Sequence, residues 1–243
     1  MKAVLRWIAL LLLALLCLQL FFVGRIALMA VVDPQSTTFQ RSEIWRFAQE
    51  KGKLRWRQQW VAYAALPEHL KRAVIAAEDS SFSQHEGVDW EALEKAWQRN
   101  SVAEEQAARR ALQARAGARP AKIIGGSTIT QQLAKNLLLS GERTLLRKGQ
   151  EIVLTFALES MLGKERILEI YLNSVEWGEG VFGAEAAAQH YFRKPAARLS
   201  AYEAARLAVM LPRPRYFEKV PNSGYLASRA ATIVARMREA ELP

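Results

Sequence analysis

Between Trp7 and Val23 the run WIALLLLALLCLQLFFV carries one polar side chain, Gln19, and IALMAVV continues it past Gly24 and Arg25. A stretch of this length meets the roughly 20 residues needed to cross about 30 Å of hydrocarbon. It is expected to be an uncleaved anchor, residues 1–32 with a short cytoplasmic tip. The alternative, a cleaved signal peptide, has an apolar region of only about 7 to 15 residues before a small-x-small site. Arg25 sits near one end of the run, where it can snorkel. From Pro67 onward the pattern changes to helical period. Leu70, Val74 and Ala77 follow i, i+4, i+7 behind a Pro-Glu start. Asp89 is placed to cap a helix carrying Leu93, Ala96 and Trp97, and Thr128-Ile129-Thr130-Gln131 fits a capping box whose helix buries Ile129, Leu133 and Leu137. Thr144 is expected to start a long helix with Ile152 and Phe156 inward. Ser200 to Glu203 forms a second capping box before a helix ending at Pro212, and Ser223 opens a last one with Leu226, Ala230, Ile233 and Met237 in register. Alternating strand patterns are scarce, so residues 67–243 are expected to form one mainly α domain.

Two intervals break the pattern. Residues 33–66 read as a juxtamembrane linker, opening on Pro34, Ser36, Thr37 and Thr38 and holding the basic, Trp-rich piece KGKLRWRQQW. That piece suits a lipid headgroup layer, and the same composition serves single-stranded nucleic acid or a plain solvated face. The Ala- and Arg-rich interval from Gln98 to Lys122 has few large apolar groups, and reads as a mobile loop or a poorly packed helix ending at Gly117 to Pro120.

Composition narrows the chemistry. The chain has 243 residues, 51% hydrophobic and 24% charged, with a formal charge of +10, which excludes a disordered class. Cys17 is the one cysteine, and His69, His85 and His190 are far apart, so Cys- or His-based metal sites lose support and any metal would lean on carboxylates and substrate. Lys2 and Arg6 precede the apolar run, which places the N-terminus in the cytoplasm and the remainder outside. A GxGxxG string at Gly178, Gly180 and Gly183, with Glu203 beyond it, lacks the preceding strand that a dinucleotide site needs. A tight turn with close backbone approach is the better reading. The chain holds no GxxxxGK[ST], HExxH, SxxK or GxSxG, so nucleotide hydrolysis, zinc peptidase and serine acyl-transfer mechanisms lose their usual sequence support.

Three segments are too polar for the helices they occupy. Glu78 and Asp79 follow an apolar helical run, so Glu78 is expected to be partly desolvated, which raises a carboxylate toward the range where it works as a base. Phe82, His85 and Gly87 follow closely enough to wall the same site. In GGSTITQQLAKN two glycines lead into a helix start, whose free NH groups attract anions. There Ser127, Gln131 and Lys135 recur every four residues, with Thr128, Gln132 and Asn136 beside them. Uncharged amides and hydroxyls of this kind suit sugar hydroxyls and phosphate oxygens. In the third segment Arg147 and Glu151 are one turn apart with Lys148 in reach, an arrangement that ion pairing alone would also explain.

These strings together resemble the monofunctional biosynthetic peptidoglycan glycosyltransferases, glycosyltransferase family 51. AAEDSSFSQHEGVD is similar to that family's EDxxFxxHxG motif, GGSTITQQLAKN to its GGSTITQQ-x-x-KN motif, and RKGQE at Arg147 to Glu151 to its RKxxE motif. KERILEIYLNSVEWGEGVFG and AAAQHYF resemble its fourth and fifth. The order matches, from about Trp60 to the C-terminus; the long interval Gln98 to Lys122 is the departure. The chain lacks SxxK, SDN and KTG, so it resembles the branch without a transpeptidase domain.

The resemblance implies a lysozyme-like helical domain with a smaller membrane-associated lobe, and polymerisation of lipid II into β-1,4-linked glycan strands with release of undecaprenyl diphosphate. It implies Glu78 as general base on the acceptor 4-hydroxyl and Glu151 as the second functional carboxylate, either assisting at the pyrophosphate or organising cations there. Lys135 and Arg143 match phosphate-contacting cations. Asp79, Phe82, His85, Ser127, Thr128, Gln131, Gln132, Asn136, Arg147 and Lys148 complete the expected substrate site, with His85 either orienting Glu78, binding substrate or packing structurally. No tightly bound cofactor is expected; a divalent cation, Mg or Mn, at the pyrophosphate stays open. Expected partners are lipid II, the growing glycan chain and membrane lipid, with cell-wall synthesis or division proteins open and nucleic acid excluded; the expected address is the inner membrane with a periplasmic domain. A peptidoglycan hydrolase on a similar helical fold and a non-catalytic anchored scaffold are the rivals.

Overall fold

In the computed structural model, which describes residues 1–51, 56–113, 125–139, 141–142 and 144–243, the periodic segments are helices. Arg143, residues 52–55 of the basic Trp-rich piece, and the Gly117 to Pro120 end of the Ala- and Arg-rich interval lie outside the described residues.

Helix α1 (Lys2–Met29) is long and apolar enough to cross a membrane, and it buries Phe22, Ile26 and Met29 against the rest of the protein. Asp33 and Met29 O are both held by Arg166, so the chain leaves the anchor in a defined direction. Described parts of the expected linker 33–66 pack on the domain. They include α2 (Thr38–Lys51), where Thr37 just ahead of the helix and Gln40, Glu43 and Phe47 within it are buried. Thr38 Oγ1 donates to Leu137 O at 2.9 Å, and Gln40 Nε2 donates to Ser174 O at 3.1 Å. Positions 37, 40, 43 and 47 share one helical face, but three of the four are polar, so no hydrophobic period announces the packing. Trp56 packs on Phe182 at 5.0 Å and Trp60 lies against Arg166, so both aromatic rings are engaged within the domain.

The core is helix on helix. Helix α3 (Glu68–Glu78) packs on α9 (Ala201–Met210) and α11 (Gly224–Arg236), while α5 (Ile129–Leu138) packs on α2, α6 (Leu145–Met161) and α7 (Lys164–Ser174). Both expected capping boxes form, Thr128 with Gln131 and Ser200 with Glu203. Thr144 and Ser223 cap α6 and α11, and Asp89 Oδ1 accepts from Ala92 N at 2.7 Å. Ile129, Leu133 and Leu137 are fully buried, as are Leu226, Ala230 and Ile233, or nearly so.

Helix α4 (Trp90–Gln113) runs through most of the Ala- and Arg-rich interval, so the residues from Gln98 to Gln113 are helical rather than loop. It buries Ala96 but exposes Leu93 and Trp97, because it lies over the domain on its small residues. Phe156 on α6 also points outward, against expectation; Leu154, Thr155 and Leu158 face in.

The glycine string folds as a turn. Strands β1 (Glu176–Gly178) and β2 (Val181–Phe182) pair antiparallel, joined through Gly180 at φ +73°. Gly183 has φ +81°, and a Cβ there would lie 2.7 Å from Asn173 O, so only glycine fits this return before α8 (Ala184–Phe192). Helix α10 (Pro214–Lys219) then lies beside β1.

Candidate active site

Glu78 ends α3, where the apolar face of the helix carries it to the surface of the core half-buried. Its Oε2 accepts from Gln132 Nε2 at 2.9 Å. Gln132 Oε1 in turn accepts from the hydroxyl of fully buried Tyr171 at 2.9 Å. A phenol donates to that oxygen, so the amide of Gln132 is oriented with its NH2 toward the carboxylate. Burial raises the Glu78 carboxyl above the ordinary glutamate value, the Gln132 hydrogen bond and Lys135 pull the other way, and the Asp79 charge adds to the rise. Burial wins, which makes Glu78 a stronger base than a solvated carboxylate.

Asp79 serves a different end. Its Oδ2 accepts from Ile129 N at 2.9 Å at the start of α5, and both oxygens meet His85 Nε2 at 2.9 and 3.1 Å. His85 Nδ1 accepts from Gly87 N at 3.1 Å, which assigns the ring proton to Nε2 and hence to Asp79. His85 therefore brackets Asp79 and the following turn and does not touch Glu78. Phe82 is fully buried with its ring edge-on to His85. Thr128 Oγ1 donates to Gly87 O at 2.6 Å and accepts from Gln131 N, while Gln131 Oε1 accepts from Thr128 N at 3.1 Å. Gly87 holds φ +86°, and a Cβ there would lie 2.7 Å from Thr155 Cγ2. Asp79, Phe82, His85, Thr128 and Gln131, expected at the substrate, thus have their side chains engaged in joining the turn after α3 to the start of α5. The joint continues through Glu159, whose Oε1 accepts from Thr130 Oγ1 at 2.6 Å and from Lys164 Nζ at 2.8 Å. Lys164 also donates to His85 O at 2.6 Å.

Two clefts flank the Glu78–Gln132 pair. One, about 220 Å³, is lined by Glu78, Ser80, Arg99, Gly125, Gly126 and Ser127 among others. The other, about 420 Å³, is lined by Gln132, Lys135, Asn136 and Arg147 on one side and by Phe39, Glu176, Leu211 and Pro214 on the other. Lys135 is exposed, and Asn136 and Gln132 are half-buried. The polar stripe of α5 is therefore Gln132, Lys135 and Asn136, while Gln131 turns inward and Ser127 opens on the smaller cleft.

Glu151 is 3% exposed on α6. Its Oε2 accepts from Arg147 Nη1 at 2.7 Å, and Lys148 Nζ donates to Oε1. Arg147 borders the larger cleft, while its Nε is buried and has no hydrogen-bond partner among the described residues. Glu151 and Lys148 do not line that cleft; Glu151 holds Arg147, which does. The geometry offers one basic carboxylate between two clefts that both carry cations, Arg99 and Arg236 in the smaller and Lys135 and Arg147 in the larger, an arrangement suited to activating a hydroxyl against an anionic leaving group.

Sequence reasoning missed Tyr171, Glu159, Lys164, Phe39 and Glu176. Tyr171, Lys164 and Glu176 all lie in KERILEIYLNSVEWGEGVFG, where Tyr171 reads as core and the resemblance to the fourth motif is the available signal; Glu159 and Phe39 come from other segments and carry no local pattern. Glu176 is pushed up to about 7 by burial, against the pull of Arg215, whose Nε donates to it at 2.9 Å. Among the described residues no three Asp, Glu, His or Cys side chains come together to hold a metal ion.

Comparison with known proteins agrees with the arrangement. The family model described as Transglycosylase matches residues 46–238. A protein of Burkholderia thailandensis named biosynthetic peptidoglycan transglycosylase is 50% identical over 228 residues, 94% of this chain and 83% of that one. A protein of the same name from Paraburkholderia phytofirmans is 47% identical over 243 residues, 98% of this chain and 94% of that one.

Proposed function

Since the chain belongs to the Transglycosylase family, we propose that it polymerises lipid II into β-1,4-linked glycan strands for the cell wall, releasing undecaprenyl diphosphate. The observation that carries this reading is the half-buried Glu78, held by Gln132 between two cation-bearing clefts, of which the larger, with Lys135 and Arg147, is assigned to the donor diphosphate and the smaller to the acceptor.

The acceptor 4-hydroxyl gives its proton to Glu78 as its oxygen attacks C1 of the donor sugar. The C1–O bond to the diphosphate breaks on the opposite face, converting an α-linked donor to a β-linked product in one inversion. A sugar alcohol is a poor nucleophile at neutral pH, and a positioned base contributes roughly 10²- to 10⁴-fold. The departing diphosphate is already an anion and needs positive charge, not a proton. Lys135 and Arg147 face its cleft, and Arg143, ahead of the RK pair, is assigned to the same charge cluster from its position in the motif. Lys148 and Glu151 hold Arg147 in place. The described residues do not form a metal site, so no step is assigned to a divalent cation, and Mg or Mn would have to take its ligands mainly from the substrate. The anchor keeps this site beside a substrate whose lipid stays in the bilayer. Lys2 and Arg6 support an N-terminus in the cytoplasm, hence an inner-membrane protein with its domain in the periplasm.

The test is incubation of full-length protein with labelled lipid II and separation of products by size. Long chains from the wild type and their loss in Glu78→Gln are expected. Disaccharide-sized products would assign hydrolysis instead, and full activity of Glu78→Gln would remove the base.

A further inference from the structure

The buried or half-buried side chains of α1 fall on one stripe. Gln19, Phe22, Ile26 and Met29 are spaced three, four and three apart with half-buried Arg25 beside Ile26, whereas residues 2–18 are exposed on every side. At about 1.5 Å per residue, residues 7–18 of the apolar run rise roughly 18 Å, more than half of the roughly 30 Å of hydrocarbon. Gln19 therefore falls in the outer half of the bilayer, in apolar surroundings. It is the one polar side chain of its run, and it has a partner. Gln19 Nε2 donates to Gln150 Oε1 at 2.9 Å, and Gln150 Nε2 donates back to Gln19 Oε1 at 3.0 Å.

Gln150 lies on the outer side of α6 with Leu146 and Val153, which are 89% and 53% exposed. The neighbouring side, about 100° around the helix, carries Arg147, Glu151 and Leu154. The amide pair thus joins the anchor to the same helix turn that presents the cations. In apolar surroundings an amide without a partner is costly, and a reciprocal pair has one register in which all four groups are used. Ordinary apolar packing along α1 permits sliding; this pair does not.

We propose that Gln19 and Gln150 are positioning residues, which fix the height of α6 relative to the bilayer so that the Arg147–Glu151 turn meets the diphosphate of a membrane-bound donor. The inference rests on the lipid II reading above. Its first test does not. In a Cys17→Ser background, full-length protein carrying Gln19→Cys and Gln150→Cys is treated in liposomes with a short bismaleimide. Intramolecular cross-linking is expected, and its absence overturns the contact.

The second test compares Gln19→Leu with wild type on two substrates: lipid II in liposomes, and a short-chain lipid II analogue in detergent solution. Turnover in liposomes is expected to fall roughly tenfold, with an unchanged rate on the soluble analogue. The cross-linked double-cysteine protein is expected to regain wild-type turnover in liposomes. Equal losses on both substrates would make the pair a plain folding contact, and no loss on either would remove the positioning role. A wild type inactive on both substrates would overturn the lipid II reading and this role together, leaving the cross-linking result to stand for the contact alone.

Discussion

Glu78 and Asp79 are adjacent carboxylates with opposite fates, and the difference is what each accepts. Asp79 accepts from two donors, Ile129 N and His85 Nε2, the latter shared between its two oxygens, while Glu78 accepts from one, Gln132. With burial only partly offset, the Glu78 carboxyl is raised above 4.5. The base form exists above that raised value, so kcat/KM is expected to fall as pH drops through it, at a pH higher than an ordinary glutamate would give, and pH–rate profiles will show whether the limb disappears in Glu78→Gln. The sign for stability is opposite. A raised carboxyl favours the folded state below its unfolded pKa, and that contribution is lost as pH rises through the folded pKa. At neutral pH Glu78→Gln is therefore expected to melt no lower than wild type, even as it loses roughly 10²-fold or more in turnover. Lys135 belongs to the other cleft, and Lys135→Ala is expected to weaken capture of a diphosphate lipid while leaving the Glu78 limb in place; equal affinity in direct binding would argue against a phosphate contact.

The start of α5 is the element on which the site depends. Thr128 closes the capping box, bonds Gly87 O and sits beside the amide that Asp79 caps, so three chain segments converge on one helical turn. Thr128→Ala removes a cap worth about 0.5 to 2 kcal/mol. A loss of about 1 kcal/mol shifts Tm by roughly 2 to 4 °C in a chain of this size, and calorimetry of the variant is expected to show a drop on that scale. The capping box was legible in the string STITQ, because the side chains that make it are local. What it joins was not: the partners Gly87, Asp79 and Glu159 lie 29 to 50 residues away, and polar residues facing inward look in sequence like a binding stripe. The same confusion hid α2, whose inward face is mostly polar, and misplaced Phe156, whose helix carries apolar side chains on both its buried and its exposed sides.

At the scale of the whole molecule, the anchor is part of the fold. Phe22, Ile26 and Met29 join the main core, and Arg166 ties Met29 and Asp33 to α7. Deleting residues 1–18 is expected to leave a folded domain, whereas deletion through Ala30 exposes the surface those three side chains cover and removes an acceptor for Arg166. Thermal unfolding in detergent should separate the two truncations, with the longer one melting lower; equal melting would mean that the anchor contributes nothing to the fold.

The amino-acid order alone determined the apolar span, the helical class and the caps, since each depends on residues within a turn or two of one another. Only the tertiary structure decided that Asp79, His85, Thr128 and Gln131 join segments, Asp79 and Thr128 doing so in the wall of the smaller cleft, while Gln132, Lys135 and Arg147 face the larger one. A polar side chain reads the same in a string whether it meets substrate or another buried group, and the difference is made by the distant backbone that comes to rest against it.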